Sequence, residues 1–522
     1  MVRHAGGQRR VTLPPFRLAV IADAHLHDIH ADFGQDGPAL RPAGDVVKST
    51  RVFNETGPAL RHALRDIAAR GITEVALLGD LTDDGQIAAL EALQRLLAEA
   101  RGWGLRFWAV PGNHDLFADT GRHRSRRMVN PAGGHDLVTS DPDRRDPQAA
   151  RVILTPRMRC PGLPDGLPAD AGFFRPPGVL HWETPFGTDD SPAARRYAVQ
   201  SEDGSVTRHL MDASYLVEPA PGIWLLMIDA NVWVPHGRHC PPGEDGYIDA
   251  TDAGWAAMVR HKPFILRWMA DVVRRAAARG KRLLTLSHYP AIDPFADSKA
   301  AETALLGLTP LGRRAPAPEV TRAVAATGIR VHVSGHLHVN ATSLAHGPSG
   351  RFVNVAVPSL SSFPAAYKIV TLDECVRVQT VGIGSMQMPG GVAYPEPLAG
   401  HETYGGFLQA QARHLVARRL LRREWPPDLA AAVPGLTLAD MTGAAAGAEV
   451  AGLRVIEDFH LLRMGGSLGA DLIPASRLAL YRAAPVNRTR WGLLLSMMQS
   501  YLVQLPAQDF RLDPRTGAVT AD

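Results

Sequence analysis

The apolar and polar positions of the first quarter of the chain fall into a repeating order. FRLAVIA (16–22), EVALL (74–78) and LRFWAV (105–110) are short continuous apolar runs, the pattern of buried strands. Between them, TGPALRHALRDIAARG (56–71) carries Leu60, Leu64 and Ile67 at helical spacing, with Pro58 near its start and Gly71 at its stop. Residues 86–101 place Leu90, Leu93 and Leu97 on one helix face. Strand–helix–strand–helix–strand predicts a largely parallel sheet with right-handed crossovers.

Residues 119–220 break the pattern. They are rich in Pro, Gly, Asp and Arg and too long for a plain loop, so they are read as a functional insertion or lid. The alternation returns with a strand at IWLLMIDA (223–230), a helix over 263–279, a strand at RLLTLS (282–287) and a helix–strand pair over 318–334. FVNVAVPS (352–359), YKIVTL (367–372) and VRVQTV (376–381) predict antiparallel closing strands. The Gly/Pro-rich MPGGVAYPEPLAG (388–400) marks a boundary near 385–400. The chain is thus expected to divide into a main α/β domain over 1–390 and a mainly helical domain over 400–522. The apolar helical stretches around 411–421 and 491–503 must be buried. Two arrangements are open: a cap beside the site of the main domain, or a packing or dimerisation surface away from it.

Composition narrows this only slightly. Of 522 residues, 45% are apolar and 21% charged, as in ordinary globular proteins. The net charge of +4 gives no argument for a nucleic-acid or membrane partner. Cys160, Cys240 and Cys375 are odd in number and far apart, so they suggest neither a disulfide framework nor a thiolate metal site. No apolar run is long enough for a membrane span, and the basic start MVRHAGGQRR is not followed by an h-region or cleavage site. A cytoplasmic protein is expected.

The chemistry lies at the strand ends. FRLAVIA ends in Asp23-Ala24-His25, EVALL in Gly79-Asp80, and LRFWAV in Gly112-Asn113-His114-Asp115. RLLTLS ends in His288, and RVHVS in Gly335-His336-Leu337-His338. These are oxygen and imidazole donors without thiolates, which suit Mn, Fe, Zn, Co or Ni. In D-x-H and H-x-H the two donors share one side of an extended segment and can reach one ion. Strand carboxyl ends in α/β folds are where sites form.

This ordered set resembles the calcineurin-like metallophosphoesterase superfamily, with its blocks D-x-H, GD, GNH-D/E, H and GHxH, and GNHD, LSHYP and SGHLH look closest to its cyclic-nucleotide phosphodiesterase branch. The resemblance covers residue 16 to about 385 and implies a four-layer α/β/β/α sandwich of two mixed sheets. It implies two metal ions, one on Asp23, His25 and His338, the other on Asn113, His288 and His336, with Asp80 bridging. A hydroxide shared by the ions would attack a small phosphate ester, most simply a diester. A monoester, a nuclease activity on the same site, or a non-catalytic protein-binding scaffold are the alternatives. His114 would serve the leaving group, and Asp115 would orient His114. A homo-oligomer is left open.

Neighbouring residues carry simpler expectations. His27 is read as a loop residue and His332 as a packed, hydrogen-bonded histidine. Asp83 and Asp84 are read as caps of the next helix, and Asn54 as a cap of the one before. The basic run RHRSRRM (122–128) is read as a solvated surface rather than a steering patch.

Overall fold

A computed structural model of the chain describes residues 15–240, 245–295, 298–388, 390, 393–486 and 489–522. The N-terminal MVRHAGGQRR and parts of the 388–400 boundary segment lie outside them. Two seven-stranded mixed sheets form the core. The first contains β1 (Phe16–Ile21), β2 (Glu74–Leu78), β3 (Arg106–Val110), β16 (Ala366–Leu372), β17 (Val376–Gly382), β18 (Phe510–Leu512) and β19 (Val519–Ala521). Its order is β19-β18-β17-β16-β1-β2-β3, with β1, β2 and β3 parallel. The second contains β7 (His181–Glu183), β10 (Tyr215–Ala220), β11 (Ile223–Ile228), β12 (Arg282–Ser287), β13 (Val331–Ser334), β14 (Ala341–Gly347) and β15 (Gly350–Ala356). Its order is β14-β15-β13-β12-β11-β10-β7, with β11, β12, β13 and β15 parallel.

Strand alternation makes the layers. Along β11, Leu225 and Met227 join the core shared with the first sheet, whereas Trp224, Leu226 and Ile228 pack against the helices Gly254–His261, Pro263–Ala278 and Pro318–Ala325. On the first sheet, Leu60, Leu64, Ile67, Leu93 and Leu97 of the helices Thr56–Ala69 and Ile87–Gly102 belong to that shared core. The four-layer sandwich is therefore the fold.

Three expectations change. Residues 352–359 were expected to form an antiparallel closing strand, but β15 pairs parallel with β13 and antiparallel only with β14, because the hairpin through β14 carries the chain round. The stretch 119–220 is not a separate insertion throughout. It contains a small sheet, β4 (Ser125–Val129), β5 (His135–Thr139) and β6 (Val152–Leu154), and a hairpin, β8 (Arg196–Gln200) with β9 (Thr207–Met211), but β7 and β10 complete the second sheet. The region after 400 is helical, yet it ends in β18 and β19, which extend the first sheet from β17. Short strands flanked by Arg, Asp and Gly carry too weak an apolar pattern to be read in advance.

The two apolar helical stretches are buried within the chain. Helix Tyr404–Leu415 buries Tyr404, Phe407, Leu408, Gln411, Ala412 and Leu415, one continuous helix face. Helix Arg490–Val503 buries Leu494, Leu495, Met497, Met498 and Tyr501. Tyr404, Phe407, Leu408 and Ala412 of the first and all five of the second belong to the core that holds β1, β2 and β3. Among the described residues, no helix is long and apolar enough to cross a membrane.

Candidate metal centre

β1, β2, β3, β12 and β13 all point their carboxyl ends at one place. The loops after them are laced together: Asp23 N donates to Gly79 O at 3.1 Å, His25 N to Asp80 O at 2.8 Å, and His336 N to Asp23 Oδ2 at 2.9 Å. Seven non-glycine residues among those described have positive φ, and five of them are Asp23 (52°), His25 (45°), Asp80 (49°), His336 (72°) and His338 (57°). Such backbone is costly for residues with a Cβ and clusters at functional sites.

The side chains converge on one another. His288 Nδ1 donates to Leu78 O at 2.7 Å, which aims its Nε2 at the cluster. That Nε2 lies 3.2 Å from Asn113 Oδ1, 3.1 Å from His336 Nδ1 and 3.5 Å from Asp80 Oδ2. Asp80 Oδ2 is also 3.6 Å from His25 Nε2, which stands 3.2 Å from His338 Nε2. His338 Nε2 is 3.4 Å from Asp23 Oδ1, and its Nδ1 faces Ser362 Oγ at 3.0 Å. Asp23 Oδ1, His25 Nδ1 and His336 Nε2 are buried with no hydrogen-bond partner. Buried polar atoms without partners carry a cost that a cation held between them would offset. Two groups, Asp23 with His25 and His338, and Asp80 with His288 and His336, have donor atoms close enough to hold one ion each. Burial lowers the pKa of His25 and of His336, whereas for His288 burial is outweighed by the Asp80 carboxylate, which lifts it to about 9, so this imidazole holds a proton against Asp80 that a metal ion would displace.

Glycine is required where the GD loop meets the GNHD loop. Gly79 has φ of 78°, and a Cβ there would lie 2.6 Å from Gly112 N and 2.8 Å from His288 Nδ1. Gly79→Ala is expected to cost about 2–4 kcal/mol, one left-handed residue plus one overpacked contact. Denaturant unfolding of wild type and variant, both metal-free, would check it, and a cost below about 0.5 kcal/mol would refute this reading of the turn.

The expected roles around His114 change. Asp115 does not hold His114. Its Oδ1 accepts from Leu81 N at 2.8 Å and Thr82 N at 3.0 Å, and its Oδ2 from Gly112 N at 2.9 Å, so it ties the two loops together. Burial, then the Asp80 charge, pushes its carboxyl up to about 6. The partner of His114 Nδ1 is Asp84 Oδ1, at 3.0 Å. The His114 ring stands edge-on to that of His25 at 5.0 Å and is 24% exposed, toward the cavity.

Asp83 and Asp84 are accordingly not helix caps. The helix starts at Ile87 after Gln86, without a side-chain cap, and both carboxylates face cations instead. Asp83 takes Arg41 Nη1 at 3.1 Å and Arg51 Nη2 at 3.0 Å, and Asp84 pairs with Arg126. RHRSRRM is therefore no solvated surface: Arg124 and Arg126 of this stretch are turned in to the Asp84 loop. Asn54 caps no helix either; it holds the Arg41 backbone through N at 2.8 Å and O at 3.0 Å. His27, bonded to Ala39 O at 2.7 Å, and His332, between Ser287 Oγ and Asn354 Oδ1, are packed as expected.

A cavity of about 270 Å³ opens over the cluster. One wall comes from the C-terminal region, with Gln411, Leu415, Arg419, Glu424, His460 and Met464. Asn340, two residues past His338, donates its N to Met464 O at 2.8 Å and its Nδ2 to Gly465 O at 3.2 Å, which fixes helix Gly452–Gly465 beside the GHLH loop.

The family model described as calcineurin-like phosphoesterase matches residues 16–153, which hold the D-x-H, GD and GNHD blocks. The match covers the first part of the chain, and the two donor groups, one of them completed by His288 and His336 from beyond it, fit a metal-dependent phosphoester hydrolase with a dinuclear centre. No curated protein matches it. A solved dimetal phosphatase from Danio rerio is 16% identical, with a TM-score of 0.36 over 70% of this chain and 95% of that one. A purple acid phosphatase from yellow lupin (Lupinus luteus) seeds is 12% identical, with a TM-score of 0.33 over 70% of this chain and 51% of that one.

Proposed function

We propose that the chain hydrolyses small phosphodiesters, with Asp23, His25 and His338 holding one ion, Asn113, His288 and His336 the other, and Asp80 shared between them. The observation that carries this reading is the convergence of buried imidazole, amide and carboxylate atoms around Asp80, with Asp23 Oδ1, His25 Nδ1 and His336 Nε2 left without a hydrogen-bond partner. When bound, the metal ions supply Lewis acidity, activating water and neutralising charge on the phosphate. The chain's own residues position and protonate. Asp80 Oδ1 accepts from His114 N at 2.8 Å, which sets the catalytic loop against the shared ligand. His114, fixed at Nδ1 by Asp84, presents Nε2 to the cavity and serves the leaving oxygen as proton donor. Burial and then the Arg51 charge hold His114 down, to about 4, so the negative charge of a bound phosphate is needed to hold a proton there. A concave cavity of about 270 Å³ favours small substrates over macromolecules. The diester preference is supported by the GNHD, LSHYP and SGHLH blocks.

The test is hydrolysis by Mn²⁺-loaded protein of bis-p-nitrophenyl phosphate, p-nitrophenyl phosphate and cyclic AMP. The expected kcat/KM for the bis-ester exceeds that for the monoester by about tenfold, a difference of about 1.4 kcal/mol in transition-state binding. The reverse order would make the protein a monoesterase. Absence of all three activities with two ions bound would refute the reading.

A further inference from the structure

The cavity wall away from the metal-ligand cluster has a chemistry of its own. Helix Tyr404–Leu415 runs into a π-helical stretch, Val416–Leu420. π-turns are rare, and they cluster at functional sites because the extra residue re-aims the side chains that follow. On this stretch Arg418 is exposed and Arg419 lines the cavity. Arg419 Nη1 donates to Lys48 O at 2.9 Å, and its Nε is buried with no hydrogen-bond partner.

Two more guanidiniums line the same space, Arg51 and Arg314. Arg51 gives Nη2 to Asp83 Oδ1 at 3.0 Å, but its Nε is likewise buried and unpartnered. Arg314 gives Nε to Asp252 Oδ1 at 3.0 Å. Arg419 feels both of the others: its side chain is pushed down first by burial, then held up by Glu424, and pushed down by Arg423, Arg314 and Arg51. They also reach the ligand cluster: Arg51 acts on His25 and His114, and Arg314 on His336. A fourth, Arg463, is already paired with the buried Glu302. The carboxyl on this wall is Glu424, which burial pushes toward its neutral form. Arg51 and Arg314 each have a carboxylate partner, but Arg419 meets only the Lys48 carbonyl, and a half-buried guanidinium of this kind is offset by an anion brought to it.

We infer that Arg419, with Arg51 and Arg314, forms a second anion subsite facing the metal-ligand cluster, and that the substrate is a small phosphate ester with a further anionic group on its ester arm. This deepens the phosphoesterase reading and rests on it. The phosphate goes to the metal cluster, and the second group, a carboxylate or an oxyanion of sulfur or phosphorus, takes guanidinium N–H donors of the residues that line the cavity. Planar guanidinium donors suit such groups better than a lysine would. The subsite would explain why a wall from the C-terminal region is held so firmly: Gln411 Nε2 also donates to Val46 O at 3.3 Å and Ser49 O at 3.2 Å, tying the Arg51 loop to the Arg419 helix.

The test uses the full-length, Mn²⁺-loaded protein and ligands that are not turned over. Calorimetry would compare phenylphosphonate with 4-carboxyphenylphosphonate and 4-sulfophenylphosphonate. Wild type is expected to bind at least one charged-arm ligand about tenfold or more tightly than phenylphosphonate, as one or two charge-assisted hydrogen bonds allow. The two arms tell a carboxylate site from a sulfur or phosphorus oxyanion site. Arg419→Gln should bring that ratio close to one, and Arg419→Lys should retain part of it. A residue that only clamps Lys48 would change all three affinities together. A wild-type ratio near one, or a ratio that survives both Arg419→Gln and Arg314→Gln, overturns the inference. Binding is read without turnover, so failure of the diesterase reading, seen with bis-p-nitrophenyl phosphate, is a separate result.

Discussion

Asp80→Asn is expected to strip metal from both positions and to lower kcat/KM by about 10³-fold or more, about 4 kcal/mol of transition-state stabilisation. Its Oδ2 lies 3.6 Å from His25 Nε2 and 3.5 Å from His288 Nε2, so among the described residues one of its oxygens faces imidazoles of both halves of the cluster. The pKa of His288 shows how much positive charge this carboxylate holds: burial alone would lower it, and Asp80 raises it to about 9. An asparagine keeps the shape and removes the charge. Asn113→Ala is the matched comparison, since Asn113 approaches His288 at 3.2 Å and lies in only one half of the cluster. Elemental analysis should give about two ions per wild-type chain, about one for Asn113→Ala, and well under one for Asp80→Asn. Two retained ions in Asp80→Asn would refute its shared position.

The strands and the cluster of candidate ligands at their ends were legible in the sequence for the same reason. Each catalytic strand is a short apolar run that stops abruptly at polar residues, and a polar triplet such as Asn113-His114-Asp115 has no place at such a stop unless it does chemistry. Five such stops in order identify one edge, although the ligands span Asp23 to His338. What was not legible is which neighbour faces which. Asp83 and Asp84 precede a helix and Asn54 another, so capping is the natural local reading. Tertiary partners decide otherwise: Arg41 and Arg51 claim Asp83, Arg126 and His114 claim Asp84, and the Arg41 backbone claims Asn54. The arginines of the cavity wall were hidden in the same way. Arg418 and Arg419 are the same residue type side by side, and only the rotation of the helix about its axis, set by what it packs on, separates the exposed one from the one in the cavity. Likewise β18 is three residues long, and nothing local to Phe510–Leu512 says that it pairs with β17.

His114 and its partners offer a test in which three substitutions at neighbouring carboxylates and the imidazole must part company. His114→Ala is expected to lower kcat by about 10²–10⁴-fold, the usual contribution of a general acid, with metal content close to wild type. The loss should shrink for esters of p-nitrophenol, whose oxygen needs little help from a proton, and grow for alkyl esters. Asp84→Asn should follow the same pattern with a smaller loss of about tenfold, because Asp84 Oδ1 fixes His114 Nδ1 at 3.0 Å without touching the substrate. Asp115→Asn should behave differently. Its carboxylate accepts from Leu81 N, Thr82 N and Gly112 N, and an amide would turn a donor toward at least one of those N–H groups. One buried donor left unpaired costs about 1–3 kcal/mol, so this variant should lose stability in denaturant unfolding and lose all substrates in parallel, with no leaving-group dependence. If Asp115→Asn instead reproduces the leaving-group pattern of His114→Ala and Asp84→Asn does not, then Asp115 is the residue that orients His114 during turnover, and the hydrogen bond to Asp84 is incidental.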